Sequence, residues 1–132
     1  LIHSVDSIRL YDALSKHAVE KLDVLIQVHI ADEQNKHGFF PDDLKKILDS
    51  GDNLLSPNMN IKGLMGMATF TDNHAQITTE FKALRTLFDE ISPSMGLDFD
   101  TLSMGMSGDW KIAIDEGSTL IRVGSAIFGS RN

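Results

Sequence analysis

Hydrophobic positions along this chain switch repeatedly between short continuous runs and a helical spacing. Leu1 to Val5 (LIHSV) opens as a strand and Asp6 can cap the helix that follows, whose inner face would be Tyr11, Leu14, Ala18 and Leu22, three and four apart. Asp23 to Ile30 (DVLIQVHI) then reads as a mostly buried strand. Pro41 suits the first turn of a second helix, with Asp42 and Asp43 near its positive end, Leu44, Ile47 and Leu48 facing inward, and Gly51 as the stop. Ile61 to Met67 is the third strand candidate. Ile77, Phe81, Leu84, Phe88 and Ile91 form the cleanest helical stripe, ended by Pro93. Thr101 to Met106 is a strand, Ser107 can cap a helix carrying Trp110, Ala113 and Ile114, and Gly117 closes it. Leu120 to Gly124 makes the last strand.

Five strands with four intervening helices and no linker or low-complexity tract predict an α/β domain built on a parallel sheet with right-handed crossovers. An open, flavodoxin-like sheet and a piece of an eight-stranded (β/α)8 TIM barrel look alike at this level. The repeating unit is about 30 residues, and eight such units would make a barrel of roughly 250 residues or fewer. Periodicity alone leaves both open.

Composition narrows the function classes. The chain has 132 residues, the size of one domain, and 42% of them are hydrophobic. Nineteen acidic against twelve basic side chains give a net charge of −7, which argues against a nucleic-acid or anionic-membrane surface and leaves room only for a local anion pocket. The absence of cysteine excludes disulfides and thiolate chemistry, and a reducing cytoplasmic setting is expected. No apolar run approaches the roughly 20 residues needed to cross a bilayer. The chain opens at Leu1 inside strand sequence, without an initiator methionine, as expected of a piece of something longer.

Candidate chemistry concentrates in the last thirty residues, where LSMGMSGDW (Leu102 to Trp110) is followed by STLIRVGSAIFGSR (Ser118 to Arg131). Two strand ends there run into small polar residues and then a helix start, which is how α/β proteins build a phosphate pocket. Ser107 reads either as an ordinary N-cap or as a phosphate ligand, with the N–H groups of Gly108 and Asp109 beside it. Arg122 lies between Ile121 and Val123 in a strand that should point into the centre of the sheet or barrel. It therefore needs an acceptor, either a carboxylate partner or a ligand. Gly124, Ser125 and Ala126 follow at that strand's carboxyl end, where barrel enzymes commonly bind phosphate.

The combined pattern SMGMSGDW followed by GSTLIRVGSAIFGSR closely resembles the C-terminal part of the YggS/PROSC family of pyridoxal-phosphate-binding, or pyridoxal phosphate homeostasis, proteins. IHSVDSIRL (Ile2 to Leu10), LIQVHIADEQNKHGF (Leu25 to Phe39) and IKGLMGM (Ile61 to Met67) agree with it, so the resemblance covers the whole chain. It implies a single-domain TIM barrel like the N-terminal domain of alanine racemases, of which residues 1–132 would supply about strands four to eight. It also implies pyridoxal 5'-phosphate at the strands' carboxyl ends, with Arg122 facing the pyridine nitrogen and Gly124, Ser125 and Ser107 on the phosphate. A permanently protonated guanidinium donates to the ring nitrogen and discourages its protonation, which weakens the ring as an electron sink. That favours a cofactor carrier or buffer over an enzyme of the racemase or decarboxylase type, and a different phosphate-ligand α/β domain is the remaining alternative.

The family's Schiff-base lysine lies in a first-strand segment resembling VSKT, which this chain does not contain. Lys16, Lys21, Lys36, Lys45, Lys46, Lys82 and Lys111 fall on predicted helices or loops, and Lys62 lies near a strand start, the wrong end of a barrel. None is assigned to the cofactor. Five strands cannot close an eight-stranded barrel, so the missing N-terminal half or a second copy is the expected partner. His3 and His29 lie in strands and His17, His37 and His74 on a helix or loops, without metal-ligand spacing, so no metal is expected. Met65, Met67, Met104 and Met106 read as barrel filling.

Overall fold

Alternation along the strands gives the sheet two faces, and the helices cover one of them. The computed structural model describes residues 1–33, 37–51 and 53–129. Its elements are β1 (Ile2–Val5), α1 (Ile8–His17), β2 (Leu22–Gln27), α2 (Pro41–Ser50), β3 (Met59–Met65), α3 (His74–Met95), β4 (Thr101–Met106), α4 (Trp110–Asp115), β5 (Leu120–Arg122) and α5 (Ser125–Phe128). Every strand pair is parallel, and the strands lie side by side in chain order, β1-β2-β3-β4-β5. Sequential order is that of a barrel wall, whereas a doubly wound sheet reverses at a switch point. The flavodoxin-like alternative is thereby set aside.

Val24 and Ile26 of β2, Val28 just beyond it, Leu64 of β3, and Leu102 and Met104 of β4 form one buried cluster with Tyr11, Leu44, Ile77, Phe81, Leu84 and Phe88 of the helices. Leu25, Gln27, Met65 and Ser103 alternate with them and are buried on the other face. That second face is concave. His3 of β1 and Ser103 of β4 are three strands apart, roughly 14 Å in a flat sheet, yet His3 Nδ1 lies 3.3 Å from Ser103 Oγ. The five strands therefore curl into part of a barrel, and the concave face is its interior.

Several boundaries differ from the sequence reading for local reasons. Ser7, not Asp6, caps α1: its extended backbone lets Oγ accept the Leu10 N–H at 3.1 Å. Helix α3 runs past Pro93 to Met95, because the proline sits in the last turn, where the Ser92 and Ser94 hydroxyls donate to the Phe88 and Ile91 carbonyls. Strand β3 begins at Met59, β2 stops at Gln27 and β5 at Arg122, each shifted by tertiary pairing that no local pattern encodes. Of the four methionines, Met65 fills the interior, Met104 faces the helices and Met106 is exposed. Helix α2 matches its prediction, with Pro41 at its start and Gly51 left-handed at φ 70° after its end.

At the strands' carboxyl ends the loops are laced together by a buried carboxylate on α3. Glu80 is 8% exposed and accepts from Thr69 N (2.6 Å), Thr69 Oγ1 (2.7 Å) and Gln76 Nε2 (3.1 Å). Thr69 Oγ1 in turn accepts the Asp32 N–H at 2.8 Å, and Glu33 Oε1 accepts that of Phe70 at 2.7 Å, joining the loops that follow β2 and β3. Replacing Glu80 with alanine leaves the Thr69 N–H unpaired and is expected to cost about 2 kcal/mol. Urea unfolding measures this, and an unchanged midpoint would show that the clamp does not stabilise the fold.

Candidate functional site

Ser107 follows β4 directly, and Gly124 lies two residues beyond β5. Their strands are neighbours, so the two turns meet at the same end of the wall. Ser107 Oγ accepts the backbone N–H groups of Gly124 at 3.2 Å and Ala126 at 3.1 Å. Two N–H groups aimed at one oxygen form the donor arrangement that a phosphate oxygen requires.

This arrangement corrects the local reading of Ser107. It does not cap α4; Asp109 holds the N-cap position and makes no side-chain cap bond there. The Asp109 N–H donates to Met106 O at 3.1 Å, so it is not directed at a ligand as the sequence reading had it. Ser107's partners lie 17 and 19 residues away, beyond any local capping pattern. Gly124 is one of them. The second N–H comes from Ala126 and not from Ser125, which stands between them as the first residue of α5. Small residues after a strand were the available signal for Ala126, but which N–H converges depends on the turn's conformation.

Arg122 points into the concave interior. Its Nη1 donates to Ser103 Oγ and its Nη2 to the Gly66 carbonyl at 3.0 Å. Among the described residues no carboxylate pairs with it directly, which removes the structural salt bridge as its explanation. Burial lowers its pKa from the usual value, opposed by the nearby charge of Asp109, and a guanidinium remains charged throughout the neutral range. Among the described residues, two of its five N–H donors are engaged.

His3 completes this group. Because Arg122 can only donate, Ser103 Oγ accepts from it, and the Ser103 hydroxyl proton is free to serve Nδ1 of a neutral His3 ring. Burial first, then the Arg122 charge, hold the His3 pKa below its ordinary value of 6.5. The unfolded ring thus takes a proton at higher pH than the folded one. The stability that the neutral ring contributes is complete above 6.5 and is lost as pH falls below that value towards the folded pKa. A proton NMR titration should place the His3 midpoint below 6.5, and a midpoint at or above it would contradict the network.

The other candidates stand apart from this site. A wide cleft of about 650 Å³ opens beyond β1 and β2, lined by Asp6, Asp32, Glu33, His29, His37 and Phe40. Three carboxylates make it a poor place for a phosphate. His29 stacks obliquely on Phe40 with ring centroids 5.0 Å apart, and no group of metal-binding residues forms among the described residues. Lys62 lies in β3 at 4.0 Å from Asp100, which precedes β4, so it belongs to the amino ends of the strands. Lys16, Lys45, Lys46, Lys82 and Lys111 are on helices and Lys21 in a loop, while Lys36 lies outside the described residues. No described helix is long and apolar enough to cross a membrane.

Comparison with known proteins bears on the same architecture. The family model described as "Alanine racemase, N-terminal domain" matches residues 1–132. A protein of Aquifex aeolicus named pyridoxal phosphate homeostasis protein is 37% identical over 134 residues, covering 99% of this chain and 58% of the relative. The human protein of that name is 34% identical over 140 residues, covering 100% of this chain and 50% of the relative. The chain thus spans about half the length of the curated relatives it matches. The structure of PipY from Synechococcus elongatus without PLP superimposes with a TM-score of 0.85 at 36% identity, covering 97% of this chain and 60% of that one. With PLP bound, the same protein gives 0.81 and 33%, with the same coverage.

Proposed function

We propose, for a chain that belongs to the alanine racemase N-terminal domain family and to its YggS/PROSC branch, that it is the C-terminal portion of a single pyridoxal 5'-phosphate-binding barrel domain serving cofactor homeostasis. The observation that carries this reading is the convergence of the Gly124 and Ala126 N–H groups on Ser107 Oγ, at the strand ends beside Arg122. A phosphate oxygen would take those two N–H groups while the Ser107 hydroxyl turns to donate, and Ser125 lies within the same turn. Arg122, held by Ser103 and Gly66, would direct its remaining donors at the pyridine nitrogen. The residues present fit the phosphate and ring nitrogen of the cofactor, which supplies electrophilic carbonyl chemistry when bound.

Relatives named for pyridoxal phosphate homeostasis and a PLP-bound structural neighbour support this reading. An arginine at the ring nitrogen holds the cofactor in a subdued state, which suits storage or delivery better than fast turnover. The lysine that bonds the aldehyde belongs to the N-terminal half of the barrel in this proposal. That half, or a second copy, would cover the open edges of β1 and β5, and a reducing cytoplasmic setting completes the picture. In the test, the full-length protein is incubated with cofactor, treated with borohydride and digested. The expected adduct lies outside these 132 residues. An adduct on Lys62 or any helix lysine of this chain would overturn the assignment, as would failure of the full-length protein to bind the cofactor.

A further inference from the structure

Asp109 has no part in the phosphate reading, yet its carboxylate is committed to one task. Its Oδ1 accepts the Met106 N–H at 2.7 Å, and its own N–H returns to Met106 O at 3.1 Å. The two bonds close a four-residue turn from Met106 to Asp109, with Ser107 and Gly108 at its central positions. Ser107 is half-buried, and packing does little to hold its neighbours in the turn. Gly108 is exposed, with nothing within 4 Å of where a Cβ would stand, and Met106 is exposed at the strand's end. The far side of the turn is anchored because Ala113 N donates to Asp109 O at 3.1 Å, tying it to α4.

We infer that Asp109 is the positioning residue of the site, its Oδ1 holding the Met106–Asp109 turn so that the Ser107 hydroxyl meets the Gly124 and Ala126 N–H groups. The inference rests on the phosphate reading above and deepens it. The task requires an acceptor oxygen and not a charge. A carboxylate close to an anion site repels the ligand, and Asp109 is near enough for its charge to act on Arg122. Asparagine keeps the acceptor and removes the charge, whereas alanine removes both. Acceptor and charge are therefore separable by substitution.

The experiment compares the full-length wild type, Asp109→Ala and Asp109→Asn by calorimetric titration with pyridoxal 5'-phosphate and with pyridoxal. Asp109→Ala is expected to weaken pyridoxal 5'-phosphate binding about tenfold and leave pyridoxal unchanged, the loss of about one charge-assisted hydrogen bond. Asp109→Asn is expected to bind at least as tightly as wild type. Amide hydrogen exchange at Gly124 and Ala126 should speed up in the alanine variant and stay slow in the asparagine variant. Wild-type affinity in Asp109→Ala, or a tenfold loss in Asp109→Asn, would overturn the inference, and the asparagine variant decides alone if the alanine variant does not fold. A wild type that does not prefer the phosphorylated compound would instead remove the phosphate reading, while the exchange rates still report on the turn.

Discussion

Replacing Arg122 with alanine is expected to weaken pyridoxal 5'-phosphate binding by the full-length protein about 30- to 100-fold. The substitution removes a half-buried cation, two of whose donors are held by Ser103 and Gly66. A hydrogen bond from a charged donor is worth about 1.5–3 kcal/mol, and about 2–2.7 kcal/mol of loss corresponds to that range. A second effect separates the loss of a ligand contact from general damage. The Arg122 charge lowers the His3 pKa, so the His3 midpoint should move up in the variant. Arg122→Lys keeps a positive charge but not the planar fork, so it should hold the His3 midpoint low while recovering only part of the affinity. Unchanged affinity in Arg122→Ala would remove the residue from the site. An unchanged His3 midpoint would dissolve the His3–Ser103–Arg122 network.

Alanine at position 63 is expected to cost more than about 3 kcal/mol, the largest stability effect in the chain. Gly63 of β3 pairs with Thr101 of β4, and a Cβ on it would stand 1.6 Å from the Thr101 carbonyl oxygen and 2.6 Å from its carbonyl carbon. Both obstacles are backbone, so no side-chain rotation relieves them. The two strands must separate, and Ser103 in β4 and the Gly66 carbonyl just beyond β3 are the two anchors of Arg122. Gly108→Ala meets nothing within 4 Å and serves as the control, expected to change stability little. Thermal unfolding of the two variants checks this, and equal midpoints would mean that β3 and β4 pack less closely than the structure has them.

The alternation of continuous apolar runs and helical stripes carried most of the architecture. Five strands were legible because Val24 to Val28 and Leu102 to Met104 are buried on both faces, and Ile77 to Ile91 because one face of a long helix is apolar. Strand order was not, since chain order and doubly wound order share the same one-dimensional pattern. The curl that brings His3 to Ser103 crosses three strands and leaves no local trace. The same limit explains Ser107. Its preference for N-caps was visible, whereas its bonds to Gly124 and Ala126 depend on two turns meeting in space. Arg122 stood out because a cation between Ile121 and Val123 needs an acceptor, but its partners, a hydroxyl on β4 and a carbonyl just beyond β3, are distant in the chain. Gly63 carried no signal at all, because a glycine required by a neighbouring strand looks like any other glycine in a strand.

The most direct test is the crystal structure of the full-length protein with pyridoxal 5'-phosphate. Phosphate oxygens within about 3 Å of the Gly124 and Ala126 nitrogens and Ser107 Oγ, with the pyridine nitrogen facing Arg122, are the expected result. A phosphate seated elsewhere, in the cleft lined by Asp6 and Asp32 for instance, would contradict it.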